Sequence, residues 1–271
     1  MQNLMSKSQY KQSFKNRHKI LKENSVRSKL YKVRYTTVSE YVREFVKSND
    51  AIIIDAGCGD GVFFSEIICE YPQLVGLDLS IKSLLYIKEQ KQIQHVPLIQ
   101  GDIENLPFKS NELLSVVCIE TLEHLMNIEK GLQEIHRVLR PNGVLIATVP
   151  FTPNLRNVTI VGEHKIKLLS FLRGFMRTLR CIQRGYVMHT WKDDQGFEFP
   201  HRVYWMWKIK RIIEDCSFIV QVITNTPLVI SSNDNPLMAL TEKMINRITR
   251  NRLGELFVVC AIKKSDRNLP V

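Results

Sequence analysis

The chain reads as an α/β domain with a doubly wound, mostly parallel sheet and helices on both faces. Three observations predict this. Short apolar runs alternate with amphipathic helical patterns between residues 51 and 150, the arrangement that builds βαβ units. The first apolar run ends in a glycine-rich turn, Asp55-Ala-Gly-Cys-Gly-Asp-Gly61, the kind of strand-to-helix junction that lets a ligand approach bare backbone. A length of 271 residues, 44% hydrophobic and 24% charged, suffices for the core of one such domain.

The elements follow in order. Val38, Tyr41, Val42, Phe45 and Val46 recur at helical spacing after Tyr35, which predicts a helix ahead of the first strand. Ala51–Asp55 is that strand. Helix 62–70 then leads to strand Leu74–Leu77, and helix 81–92 to strand Val96–Gln100. Strand Leu113–Ile119 precedes helix 128–139, and strand Val144–Val149 closes the series. Past Pro150 the alternation stops for about fifty residues and resumes with helix 203–215, strand Phe218–Thr224 and strand Leu256–Ile262. A second interruption carries the helical pattern Leu237, Leu240, Met244, Ile245 and Ile248. The interruptions, about 151–200 and 225–254, read as insertions in a single domain spanning 35–271, with 1–34 as a basic N-terminal arm.

Charge is distributed unevenly. The whole chain carries +11, which by itself suggests a polyanion or an anionic membrane as partner. Residues 1–50 hold 12 basic and 4 acidic side chains, whereas 51–150 hold 7 and 13. The excess returns with 12 against 6 over 151–215 and 7 against 4 over 216–271. The acidic centre therefore suits a cationic ligand, and the basic flanks face something else. Six cysteines without a CxxC pair fit reduced thiols, and a polar, basic start with no long apolar run lacks a secretory or spanning segment. These features place the chain in the cytoplasm, with a peripheral membrane contact left open.

The glycine turn is the most informative segment. Asp78 stands about 20 residues beyond it in Gly76-Leu-Asp-Leu-Ser80, where folds of this kind bind ribose hydroxyls. Asp102, in Gly101-Asp102-Ile103 at the end of the third strand, is placed to hold an adenine amino group. The spacing Asp-x-Gly-x-Gly-x-Gly departs from the dinucleotide pattern Gly-x-Gly-x-x-Gly. Asp55 and Asp60 beside the turn would repel a pyrophosphate, which needs free helix-terminal amides. A nucleoside bearing positive charge is S-adenosylmethionine. The competing reading of the turn alone is a plain tight junction.

Over about residues 35–150, 200–224 and 255–263 the chain resembles the class I S-adenosylmethionine-dependent methyltransferases, in particular the type 11-like family. The resemblance rests on DAGCGDG (55–61), GLDLS (76–80), GDIENLPF (101–108), VVCIETLEHL (116–125) and EIHRVLRPNGVLIATVP (134–150). It implies a Rossmann-like, mostly parallel seven-stranded sheet with an antiparallel last strand, and helical insertions after strands 5 and 6. It also implies that Asp55, Gly57, Cys58, Gly59 and Gly61 hold the amino-acid end of the cofactor. Asp78 would take the ribose, with Leu79 against the adenine, Asp102 and Ile103 clamping the base, and Ile119 and Glu120 lining the sulfonium end. Arg34 or Tyr35 would cover the cofactor.

At the reacting end, methyl transfer demands chiefly orientation and a destination for the acceptor's proton. Glu120-x-x-Glu123-His124 after the fourth strand is the candidate cluster. Three readings compete. Glu123 and His124 open the next helix, Glu favouring its N-terminus; or His124 is a general base, titrating near neutrality; or Glu120, Glu123 and His124 hold Mg²⁺ or a similar ion. No metal is assigned, and His124, Glu120 and His201 are the catalytic candidates. His201 is expected to open the helix HRVYWMWKIKRII beside the acceptor.

Residues 165–184 form an expected amphipathic helix, with Leu168, Leu169, Phe171, Leu172, Phe175, Met176, Leu179 and Ile182 on one arc and Arg173, Arg177, Arg180 and Arg184 along its edge. It is a lid, a membrane-surface contact or a docking face for a lipid-linked or phosphorylated acceptor. Ten aromatics between 171 and 218 read as the acceptor pocket. The expected activity is O-methylation of a small-molecule or lipid/glycan-type acceptor. The alternatives are an RNA methyltransferase, for example on the ribose 2′-oxygen, and a cofactor-binding homologue without catalysis; no DNA partner is expected.

Overall fold

A computed structural model describes residues 17–23, 25–48, 52–150, 185–192, 198–226, 243–244, 247 and 256–264. After a short helix, α1 (Arg17–Leu21), and a long one, α2 (Val26–Phe45), the chain alternates. Strand β1 (Ile53–Ala56) leads through α3 (Phe64–Ile67) to β2 (Leu74–Asp78), then through α4 (Ile81–Glu89) to β3 (Leu98–Gln100). Strand β4 (Leu113–Ile119) is joined by α5 (Ile128–Val138) to β5 (Leu139–Pro150). There follow β6 (Tyr186–Lys192), β7 (Glu198–Tyr204), α6 (Met206–Asp215), β8 (Phe218–Asn225) and β9 (Leu256–Lys263). Seven strands form one sheet in the order β3-β2-β1-β4-β5-β9-β8. β9 runs antiparallel to both its neighbours, and the pairs among β1 to β5 are parallel.

The strands are apolar on both faces because helices cover both. Alternate side chains of one strand enter different cores. Ile54, Val116, Leu145 and Val259 join α5 and α6 on one face. Ile53, Val117, Ile146 and Cys260 join α2, α3 and α4 on the other. Each fully buried Ile, Leu or Val contributes about 1.5–3 kcal/mol, so this two-sided burial holds the βα junctions in register. Local capping fixes the helix starts. The side chains of Ser25, Ser80 and Asn127 accept the amides of Ser28, Ser83 and Lys130 at 3.1, 3.3 and 2.9 Å.

The structure corrects several expectations. The helix preceding β1 begins at Val26, so the 34/35 boundary of the arm falls inside α2, where Leu30 and Tyr31 are already buried. Glu123 and His124 do not open a helix; they lie in a 3₁₀ turn, Leu122–His124, and α5 starts four residues later behind its Asn127 cap. His201 does not open a helix either. It sits in β7, which pairs antiparallel with β6 from Tyr186↔Tyr204 through His189↔His201 to Lys192↔Glu198, and α6 begins only at Met206. Backbone pairing with a partner strand outweighs the helical spacing of these apolar residues, an outcome set by tertiary context. The described part of the first insertion is thus a β-hairpin and not a helix. The expected helix 165–184 lies outside the described residues, as does most of 225–254. Among the described residues no helix is long and apolar enough to cross a membrane.

Candidate active site

The glycine turn folds back on the end of β2. The amides of Gly57 and Cys58 both donate to the Leu77 carbonyl, at 2.7 and 3.1 Å. Gly57 has a φ of 84°, and a Cβ there would stand 2.3 Å from Thr121 Oγ1. Only glycine fits both the dihedral and the space. Asp78 ties this loop to β2: Oδ2 accepts the Gly59 amide at 2.8 Å and Oδ1 the Ser80 amide at 2.7 Å. The carboxylate expected at the ribose therefore also sets the shape of the turn.

Tyr35, Asp55, Gly57, Cys58, Phe63 and Ile119 line a solvent-open cleft at the C-terminal ends of β1 and β4. Four of the expected cofactor residues meet there, together with Tyr35. Phe63 was missed, and its signal was an aromatic two positions past Gly61 in the turn. Asp55 is 1% exposed, and a carboxylate buried so deeply favours a cation beside it. Helix α2 covers the cleft with an aromatic run: Tyr31 stacks on Tyr35 at 6.2 Å, and Tyr35 meets Phe63 at 6.4 Å. At the far side, the Gly101 amide donates to the Asp78 carbonyl at 3.1 Å, which joins the ends of β2 and β3. Asp102 Oδ1 accepts the Glu104 amide at 3.0 Å, Leu79 is half-buried, and Ile103 is buried in the core that includes Leu125 and Leu132.

Glu120 turns away from Glu123 and His124. It is a non-glycine residue in the left-handed region, with φ 49°, a conformation that costs about 1–3 kcal/mol and persists only where its surroundings enforce it. Its amide donates to Thr148 Oγ1 at 2.9 Å, and its carboxylate receives the buried guanidinium of Arg34. That guanidinium also lies over the Tyr31 ring, 4.7 Å from its centroid. The expected grouping of Glu120 with Glu123 and His124 is therefore replaced by a bridge from β4 to α2.

Glu123, His124 and His201 come together instead. Glu123 is fully buried, with Oε1 3.9 Å from His124 Nε2. His124 Nδ1 is 2.9 Å from the Pro200 carbonyl, and the rings of His124 and His201 are 5.1 Å apart. A carbonyl only accepts, so Nδ1 carries the hydrogen, and in the neutral ring the lone pair is on Nε2. Arg202 clamps the hairpin onto this turn by donating to the carbonyls of Leu125 and Met126. Beneath the cluster, burial raises the Tyr204 hydroxyl above its ordinary value, and the Glu123 charge adds to the rise. The Cys118 thiol is raised likewise, first by burial and then by the charges of Asp55 and Glu123.

Residues 54–147 match the family model described as a methyltransferase domain. The chain is similar to an uncharacterised protein of Methanocaldococcus jannaschii, 33% identical over 49% of this chain and 55% of that one. It is similar also to a demethylmenaquinone methyltransferase of Staphylococcus epidermidis, 30% identical over 58% of this chain and 64% of the relative. It thus spans between about half and two thirds of the length of these relatives. Among solved structures, the fold resembles a Burkholderia thailandensis 1,6-didemethyltoxoflavin-N1-methyltransferase with bound S-adenosylhomocysteine. The TM-score is 0.54 and the identity 11%, over 86% of this chain and 79% of that one. Over residues 54–147 the chain is thus similar to the methyltransferase domains that this family model describes.

Proposed function

We propose that the chain transfers the methyl group of S-adenosylmethionine to a hydroxyl oxygen of a small-molecule or lipid/glycan-type acceptor. The observation that carries this is a polar cluster: Glu123 and His124 stand four and five residues beyond Ile119 of the cleft, in the turn that follows β4, and β7 brings His201 to them. In this reading Asp55 faces the positive end of the cofactor, and its burial at 1% exposure makes that attraction strong. Asp78 keeps lone pairs for the ribose hydroxyls beyond the two it gives to Gly59 and Ser80. Tyr35 and Phe63 exclude water. The reaction is an in-line displacement: the acceptor oxygen forms a bond to the methyl carbon, the carbon–sulfur bond breaks, and its electron pair stays on sulfur. The acceptor loses its proton in the process, and the Glu123–His124–His201 cluster is where this chain assists that loss.

The similarity to an enzyme named for demethylmenaquinone supports a small or lipid-like acceptor. The test is a screen of the purified chain with methyl-labelled cofactor against lipid, small-molecule and RNA fractions, alongside calorimetry of cofactor binding. Label in a lipid or small-molecule fraction is the expected result. Label confined to RNA would replace the acceptor class, and absent cofactor binding would overturn the reading altogether.

A further inference from the structure

Glu123, His124 and His201 each offer one donor atom, and these atoms all lie within 4.8 Å of one another. Three points so spaced share a centre no more than about 2.8 Å from any of them. Shifts below about 1 Å would bring all three to the 2.0–2.2 Å typical of imidazole and carboxylate ligands around a divalent ion. Such shifts are rotamer-scale for side chains carried on a 3₁₀ turn and a hairpin strand.

Two further observations point to a ligand. His124 is oriented by donating Nδ1–H to the Pro200 carbonyl at 2.9 Å, the arrangement that fixes the tautomer and ring orientation of a metal-ligating imidazole. Glu123 is 0% exposed, with Oε1 3.9 Å from His124 Nε2. A dication at these oxygens would stabilise the buried carboxylate.

We propose that Glu123, His124 and His201 form a site for a divalent transition-metal ion, with its remaining positions left to water and to the acceptor oxygen. Two nitrogens and one carboxylate suit zinc, manganese or cobalt and not Mg²⁺, which prefers oxygen donors. Glu120, engaged by Arg34, is not a ligand. The role of the ion deepens the methyl-transfer reading and rests on it. An acceptor hydroxyl bound to the ion loses its proton to solvent water more readily. The resulting oxyanion attacks the methyl carbon, the carbon–sulfur pair goes to sulfur, and the products are the methyl ether, S-adenosylhomocysteine and a proton.

The experiment uses the full untagged chain stripped with chelator and titrated with Co²⁺, read by visible absorption, and with Zn²⁺, read by calorimetry. Cofactor affinity and methyl transfer are measured beside it. One equivalent of Co²⁺ with bands of nitrogen ligation is expected, weakened at least about tenfold in Glu123→Gln and His201→Asn. The exposed-site control His95→Asn should bind as wild type. Because Glu123→Gln removes a core group, His201→Asn on the hairpin is the second variant, with circular dichroism checking its fold. Absence of stoichiometric binding, or equal binding by folded His201→Asn, overturns the site. Methyl transfer that persists in chelator overturns the role of the ion and leaves the methyl-transfer reading standing. Metal binding without cofactor binding upholds the site and overturns that reading.

Discussion

In the proposed reading, one carboxylate, Asp78, serves two duties. Position alone marks it for ribose, and the structure adds the amides of Gly59 and Ser80 at 2.8 and 2.7 Å. Hydrogen bonds from uncharged donors to an ionised group are worth about 1.5–3 kcal/mol. Asp78→Ala should therefore weaken S-adenosylmethionine binding by about 1.5–3 kcal/mol and also lower thermal stability, because the turn loses its anchor. Calorimetry giving unchanged affinity would remove Asp78 from the cofactor site. Glu120 makes the converse point. Its place in the string with Glu123 and His124 suggested shared chemistry, yet a left-handed backbone at φ 49° aims it at Arg34. No spacing rule reveals a single positive φ at a non-glycine residue.

At the scale of elements, the β6–β7 hairpin is the part that local pattern misjudged. Tyr204, Trp205, Ile209, Ile212 and Ile213 have helical spacing in places, but pairing with the preceding strand β6 claims everything up to Tyr204. The hairpin then does what the expected helix could not: it delivers Pro200 to His124 and Arg202 to the carbonyls of the same turn. Arg202→Ala should loosen that clamp while leaving the cleft at β1 intact. Turnover is expected to fall at least about tenfold, a single hydrogen bond involving a charged group being worth that much, with cofactor affinity held within twofold. Steady-state kinetics beside calorimetry separates the two, and an equal loss in both would show that the hairpin supports the whole site.

At the scale of the whole molecule, two acids tie stability to pH. Arg137, by hydrogen bonding, holds the Glu134 carboxyl below its ordinary value, and Arg43 does the same for Glu70. A depressed acid stabilises the fold above its unfolded value of about 4.3 and withdraws that contribution as pH falls through the lower, folded value. The melting temperature should thus be level near neutrality and drop below about pH 4.3. Arg137→Met should shallow that drop; an unaltered slope would show that other groups control acid unfolding. Charge also divides the molecule in a useful way. Residues 51–150, which carry 7 basic and 13 acidic side chains, supply the cleft lining other than Tyr35, and the net positive charge lies outside them.

Much of this was legible beforehand. The alternation of apolar runs and helical stripes determined β1 to β5, because a strand covered on both faces must be apolar throughout. The turn Asp55–Gly61 likewise located the cleft, since glycine freedom and βα connection length are local properties. Tertiary structure alone decided the rest. It carried His201, 77 positions beyond His124, to within ring contact, and it gave Glu120 to Arg34 from 86 positions away. Such pairings depend on where strands dock and on single backbone dihedrals, and neither leaves a periodic trace in the order of residues.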